Sequence, residues 1–235
     1  VAELKDYHAA SAAFRQSYVA RFGLEQDPAK IENVRECLGD AHTDYLITTA
    51  SKGVQARSSK PGRNEMLPSE PHQSAAEHVL EALVTVAEDF ARGGVLIMSE
   101  KSEEYLTDVQ TAPFGRVLKG DFDGTKTDEG RFVHDLSWPR GASRNDETPL
   151  AWHPPACCPR LHHVLRNVIW KAQHAPGVPV VMAKFDVSAA FKRIMLAIMA
   201  IGLFATMLPV TPILTGYKRL TVVWLVLCFG WNASP

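Results

Sequence analysis

Lys184-Phe185-Asp186-Val187-Ser188-Ala189-Ala190-Phe191-Lys192-Arg193-Ile194 sets a carboxylate where an apolar run gives way to a helical pattern. Upstream, Pro176-Gly177 breaks the chain, and the nearly all-apolar residues 178–187 predict a central strand. Downstream, residues 188–204 predict a helix. An ionised Asp186 at such a junction needs a partner or a metal, and hard divalent cations such as Mg²⁺ take carboxylate oxygens of this kind. The competing reading is an aspartate that caps the following helix. Phe191, five positions on, reads by itself as a core residue.

Working outward, residues 161–173 carry a helical pattern, and residues 138–159 read as a loop. Two β-rich pieces, 114–119 and 131–136, flank a stretch containing Asp123-Gly124, which predicts a hairpin. Before them, Ser74 with Glu77 three residues later predicts a helix start. Its apolar stripe, Val79, Leu80, Leu83, Val84, Val86, Ala87 and Phe90, ends at Gly93-Gly94. Residues 51–74 are rich in Ser, Pro, Gly, Arg and Lys and read as a loop or extended arm, preceded by a helical pattern over 2–22 and a short helix over 28–37. Near the other end, Pro209 and Pro212 interrupt the chain before a second apolar β-rich run, 220–229. The mixture predicts an α+β protein.

Composition sets broad bounds. With 235 residues, 46% hydrophobic and 22% charged, the chain can bury a core, and disorder is not the expectation. A net charge of −1 leaves any nucleic-acid binding to a local basic surface. Cys37, Cys157, Cys158 and Cys228 are too sparse and uneven for a disulfide framework, so free thiols in a reducing compartment, cytoplasmic or nuclear, are expected. The polar opening at Val1 carries no signal-peptide pattern, and both ends read as cut.

Three segments carry a more specific pattern. The junction Lys184 to Ile194, with Asp186 and Phe191, resembles the first palm motif of reverse transcriptases. Residues 130–146 resemble the fingers motif Arg-x-x-x-Asp-Leu-Ser-x-Pro-x-Gly-x-Ser-x-Asn of retroelement polymerases, through Arg131, Asp135, Leu136, Ser137, Pro139, Gly141, Ser143 and Asn145. Leu227-Cys228-Phe229-Gly230-Trp231-Asn232-Ala233-Ser234-Pro235 is similar to the Leu-Pro-x-Gly-Trp-x-x-Ser-Pro turn that leads from fingers into the palm. The three lie in the family's order and cover residues 114–235.

The resemblance implies right-hand polymerase fingers plus the start of the palm, truncated before the catalytic Asp-Asp hairpin. It divides the chain into a helical and loop lead-in over 1–73, fingers with a β-hairpin over 74–160, and a partial palm over 161–235. Asp186 is then the catalytic metal ligand, for Mg²⁺ or Mn²⁺. Phe191 lies against the sugar of the incoming deoxynucleoside triphosphate, where it would clash with a 2′-hydroxyl. Arg131 reaches the triphosphate, assisted by Lys126 or Lys119; Phe229 and Gly230 line the nucleotide pocket; Asp135 orients the fingers motif and Asn145 fixes its loop. An RNA or DNA template with its primer is the implied partner, and no membrane is expected.

Cys228 stands where proline is common in the family and Arg144 where an apolar residue is usual, which leaves room for a non-catalytic nucleic-acid-binding relic of a retroelement. A membrane protein with a span near 194–214 is the other rival, because residues 194–208 are almost wholly apolar, although Pro209 and Pro212 oppose one unbroken helix. Cys157-Cys158 with His162-His163 lacks the spacing of a zinc site, and residues 121–132 misplace the glycine of a calcium loop. A single identified carboxylate, Asp186, cannot hold two metal ions for phosphoryl transfer. The purified chain is therefore expected to be inactive in primer extension; metal-dependent extension of a labelled primer by this chain would overturn that expectation.

Overall fold

Two five-residue apolar runs, Val95–Ser99 and Leu220–Trp224, pair antiparallel to make the principal ladder of the molecule. The computed structural model describes residue 13 and residues 28–56, 69–105, 109–120, 126–153, 160–183, 190–209, 211–212 and 216–232. In chain order its elements are α1 (Pro28–Glu32), α2 (Arg35–Leu38), α3 (Asp40–Lys52), α4 (Gln73–Glu77), α5 (Val79–Ala91), β1 (Val95–Ser99), β2 (Phe114–Gly120), β3 (Lys126–His134), α6 (Leu161–His174), β4 (Ala205–Met207) and β5 (Leu220–Trp224). The architecture is mixed α+β with two small antiparallel sheets, ordered β1-β5-β4 and β2-β3.

The central strand is β5, not the expected run at 178–187. β5 is buried at all five positions and pairs on both sides, Val222 facing Ile97 in β1 and Thr206 in β4. Residues 178–183 form no strand and lie open to solvent, with Val181 83% and Met182 71% exposed. Pro179 gives the physical reason, since it has no N–H to donate to a central ladder. Residues 184–187 lie outside the described residues.

The expected helix over 188–204 is likewise replaced. Short 3₁₀ turns at Phe191–Arg193 and Ile198–Leu203 flank an extended piece whose backbone bonds go elsewhere. Leu196 N–H donates to Leu225 O at 3.0 Å, Ala197 N–H to Val54 O at 2.9 Å, and Leu227 N–H to Ile194 O at 2.9 Å. Val54 pairs parallel with Leu196, and Gly53 makes that approach possible, because a Cβ there would collide with the Leu196 backbone. The apolar stretch is thus interior: Leu196, Ala197, Ala200, Ile201, Phe204, Ala205, Met207 and Leu208 are all buried. Among the described residues no helix is long and apolar enough to cross a membrane, which removes the support for a span near 194–214.

The expected helix after Ser74 is two helices broken at His78. Ser74 does not cap; its Oγ accepts the Arg116 N–H at 3.0 Å, and His72 N–H donates to Phe114 O at 3.0 Å, so α4 is docked on β2. In α5 the buried positions are Ala82, Val86 and Asp89, a face at i, i+4 and i+7, while Leu80, Val84 and Phe90 of the expected stripe are exposed. α5 ends at Ala91, and Gly93 just beyond it has φ +75°. The short helix expected over 28–37 is split into α1 and α2, and α3 follows without having been foreseen. The Arg35 guanidinium gathers Glu32, Asp40 and Asp44 around these helices. The pattern over 2–22 falls on residues outside the description apart from residue 13.

His134 joins the two sheets. It faces Phe114 across the hairpin, and its ring stands edge-on to Trp224 of β5 with centroids 4.6 Å apart. Complete burial, with a smaller push from the Lys192 ammonium, pulls the imidazole down to about 3 from its ordinary 6.5. Its Nε2 has no hydrogen-bond partner among the described residues, so the ring is held neutral. Between pH 6.5 and 3 the unfolded chain takes up a proton that the folded one refuses. This contribution to stability is intact above pH 6.5 and is lost as pH falls, at up to about 1.4 kcal/mol per pH unit. Urea midpoints measured from pH 7 to pH 4 are expected to fall less steeply in His134→Phe than in the wild type; parallel curves would contradict a neutral buried imidazole.

Candidate functional site

Alternation along β3 turns Phe132 and His134 toward Phe114, with the Phe132 ring stacked on Phe114 at 5.0 Å, and leaves Arg131 on the exposed side. The chain then enters a turn region, residues 135–148, tied down by its own side chains. Asp135 Oδ1 accepts the Ser137 N–H at 3.2 Å, and Oδ2 lies 3.0 Å from His72 Nε2. Asp146 Oδ2 accepts from Gly141 N–H (2.7 Å), Ser143 N–H (3.1 Å) and Ser143 Oγ (2.6 Å). Asp135 therefore fixes the entry of the loop and Asp146 its far side.

Asn145 joins this loop to the turn that follows β5. Its Nδ2 donates to Ser137 Oγ and to Gly230 O, both at 2.9 Å, and its Oδ1 accepts the Asn232 N–H at 2.9 Å. The Asn232 side chain returns a bond to Asn145 O at 3.0 Å, and Trp231 Nε1 donates to Thr148 Oγ1 at 2.9 Å. Gly230, at φ +112°, passes so close to the His134 carbonyl that any Cβ would overlap that oxygen.

This junction brings Arg131, Phe229 and Phe191 together from three distant segments. The Arg131 guanidinium carbon lies 4.8 Å from the centroid of the Phe229 ring, a cation–π contact. Phe229 meets Phe191 edge-to-face, with centroids 5.6 Å apart and planes at 75°. Phe229 is 43% exposed, and Arg131 is exposed. The arrangement offers one cationic fork above a small aromatic wall open to solvent. Lys119 pairs with Glu129 at 3.0 Å on the hairpin surface, a screened contact, while Lys126 opens β3.

Asp186 lies outside the described residues, as do Cys157 and Cys158 and residues 121–125. Among the described residues no group of three or more His, Cys, Asp or Glu is arranged to hold a metal ion.

Arg144 and Cys228, which differ from the motifs this sequence resembles, are both interior. Arg144 is 1% exposed, with its guanidinium over the Phe204 ring at 5.7 Å; burial pulls it down to about 10 against the opposing pull of Glu147. The position is thus buried, as an apolar residue there would be. Cys228 is also buried, its thiol pushed well up by desolvation, and Sγ lies 3.8 Å from Val226 O. Beside the site, and not anticipated from sequence, Asp89 of α5 receives the Lys192 ammonium on both carboxylate oxygens, at 2.8 and 2.6 Å. An acidic residue at helical spacing from Ala82 and Val86 was the available signal.

No family model matches the chain, and no curated protein matches it.

Asn145→Ala is expected to destabilise the chain by about 1–3 kcal/mol, since three side-chain bonds are lost and their partners must find water. Asn145→Asp should cost more, because it turns a donor shared by two oxygens into a third acceptor. Gly230→Ala combines roughly 1–3 kcal/mol of backbone strain with overlap at His134 O. Chemical denaturation of the three variants checks this order; a neutral Gly230→Ala would contradict the close approach.

Proposed function

We propose that the surface formed by Arg131, Phe191, Phe229 and Gly230 is the nucleotide-facing part of a reverse-transcriptase-type polymerase, the RNA-directed DNA polymerase of a retroelement. The observation that carries this reading is the meeting of three motif segments at one point, with Arg131 over Phe229 and Phe229 against Phe191. These are the residues to which the resemblance gives the triphosphate, the pocket wall and the sugar.

The chemistry of each group fits its part. A guanidinium is always charged and presents paired donors, which suits phosphate oxygens better than a point charge does. The Phe229 ring beneath it keeps the cation in place without neutralising it, leaving its N–H groups for an anion. Phe191 and Phe229 provide an apolar edge that a deoxyribose can approach and that rewards no extra hydroxyl. Gly230 lets the backbone come close where a side chain would stand in the way. In this reading Asp186 would hold Mg²⁺ or Mn²⁺, which would supply charge stabilisation to the attacking and leaving oxygens. Template and primer are the partners of the same proposal.

Binding of a deoxynucleoside triphosphate with Mg²⁺, followed by the fluorescence of Trp231 and its neighbours, tests the site apart from turnover. Arg131→Ala should weaken binding about 10- to 100-fold, the worth of charge-assisted phosphate bonds, and Arg131→Lys should recover part of it. Equal affinity in wild type and Arg131→Ala would remove Arg131 from the site and with it the main support for a nucleotide pocket. Binding of single-stranded oligonucleotides without any triphosphate affinity would instead favour the non-catalytic relic.

A further inference from the structure

We infer that Asp89 is a positioning residue for the aromatic gate: acting through Lys192, it holds the Phe191 ring against Phe229 and so sets discrimination between deoxy- and ribonucleotides. The inference rests on the nucleotide-site reading above and adds a residue that lies in none of the three motif segments.

Phe191 is partly buried and packed against the edge of the core, and its ring also meets Phe229, a side chain that is itself open to solvent. Two rings meeting edge-on at a surface can slide, because aromatic attraction has a broad optimum. Core packing limits the depth of the Phe191 ring, and the backbone that carries it sets where along Phe229 it lies. That backbone is the 3₁₀ turn Phe191–Arg193, closed by Ile194 N–H to Phe191 O at 3.0 Å and by Arg193 N–H to Ala190 O at 3.2 Å. Its middle residue is Lys192.

The Lys192 ammonium is held from two directions. Both oxygens of Asp89 accept from it, and Nζ also lies 5.6 Å over the Trp224 ring in β5. The Asp89 side chain is 3% exposed, so water does little to compensate its charge. A buried carboxylate that loses its cation is left uncompensated, which makes the bond stiff against displacement. Arg92 Nη1, 3.6 Å away, is a looser second cation that also reaches Glu88. Helix α5 and strand β5 thus clamp the residue next to Phe191. A ring held in this way resists a 2′-hydroxyl, whereas a ring free to swing would yield to it.

The test must separate clamping from general stability. Removing one charge alone could unfold the chain, so the main variant is the double Asp89→Leu/Lys192→Met, which replaces the part-buried pair by apolar side chains; such exchanges commonly preserve folding. Two readouts are taken on the full chain: the ring-current-shifted aromatic protons of Phe191 by NMR, assigned with Phe191→Leu, and the ratio of affinities for a deoxy- and the matching ribonucleoside triphosphate with Mg²⁺. Phe191→Val serves as the gate-open control. The double variant is expected to keep wild-type circular dichroism, to lose the shifted Phe191 signals, and to drop the deoxy preference by about tenfold toward Phe191→Val. Unchanged Phe191 signals and an unchanged ratio in the folded double variant would overturn the inference while leaving the nucleotide site standing. Should the wild type show no deoxy preference and Phe191→Val change nothing, the nucleotide-site reading itself falls, and the role given to Asp89 falls with it.

Discussion

Asn145 makes hydrogen bonds in two directions, back to Ser137 in its own loop and across to Gly230 and Asn232 after β5. Arg131 stands on a strand of one sheet and Phe229 just beyond a strand of the other, and the sheets share no ladder. Their contact depends on how the loop and the turn are joined. A carboxamide suits this task because it offers donors and an acceptor on one short planar group, and each is used on backbone or on a fixed hydroxyl. Gly230 supplies the complementary condition. Hydrogen bonds can hold the two segments at this separation only if nothing projects from the backbone toward His134 O.

The parts of the fold legible from the sequence are those decided locally. The hairpin announces itself through β-rich pieces on either side of a turn dipeptide, and the helix over 161–174 through its spacing and the Pro-Gly that follows. The illegible parts are those decided by partners far along the chain. β1 and β4 are short apolar runs whose identity as strands comes from β5, and residues 194–204 are apolar on every side, so periodicity gives no direction. Pro179 is a local sign against a central strand at 178–187 that the surrounding hydrophobicity conceals. For the site, sequence named Arg131, Phe191 and Phe229 through a resemblance, and the geometry adds that they touch. Asp89 could not be named, because its meaning depends on a lysine in another segment.

Two kinds of polar group stand near the site. Asp89 with Lys192 and Asn145 with its partners are satisfied pairs, in which each atom's position specifies that of another. His134 and Cys228 are buried neutral, held so by desolvation, and act as shaped apolar bodies. The first kind restricts where the site's residues may stand; the second fills the space behind them. A site formed from segments of two sheets needs both, since packing alone tolerates sliding and hydrogen bonds alone tolerate cavities.

The order of strands has a consequence for how the chain comes into being. In the sheet β1-β5-β4 the middle strand is the last in sequence, so the sheet cannot form until residues 220–224 have left the ribosome, and before then β4 has only its bridge from Ala205 to Thr111. Until then β1, and the side of the interior stretch whose Leu196 N–H later finds Leu225 O, are apolar edges waiting on a distant segment. Folding dominated by such remote pairing is slow and open to aggregation along the way. During synthesis the hairpin β2-β3, whose partners are close in sequence, can form first, so the loop bearing Asn145 stands ready before the turn it is to capture has been made.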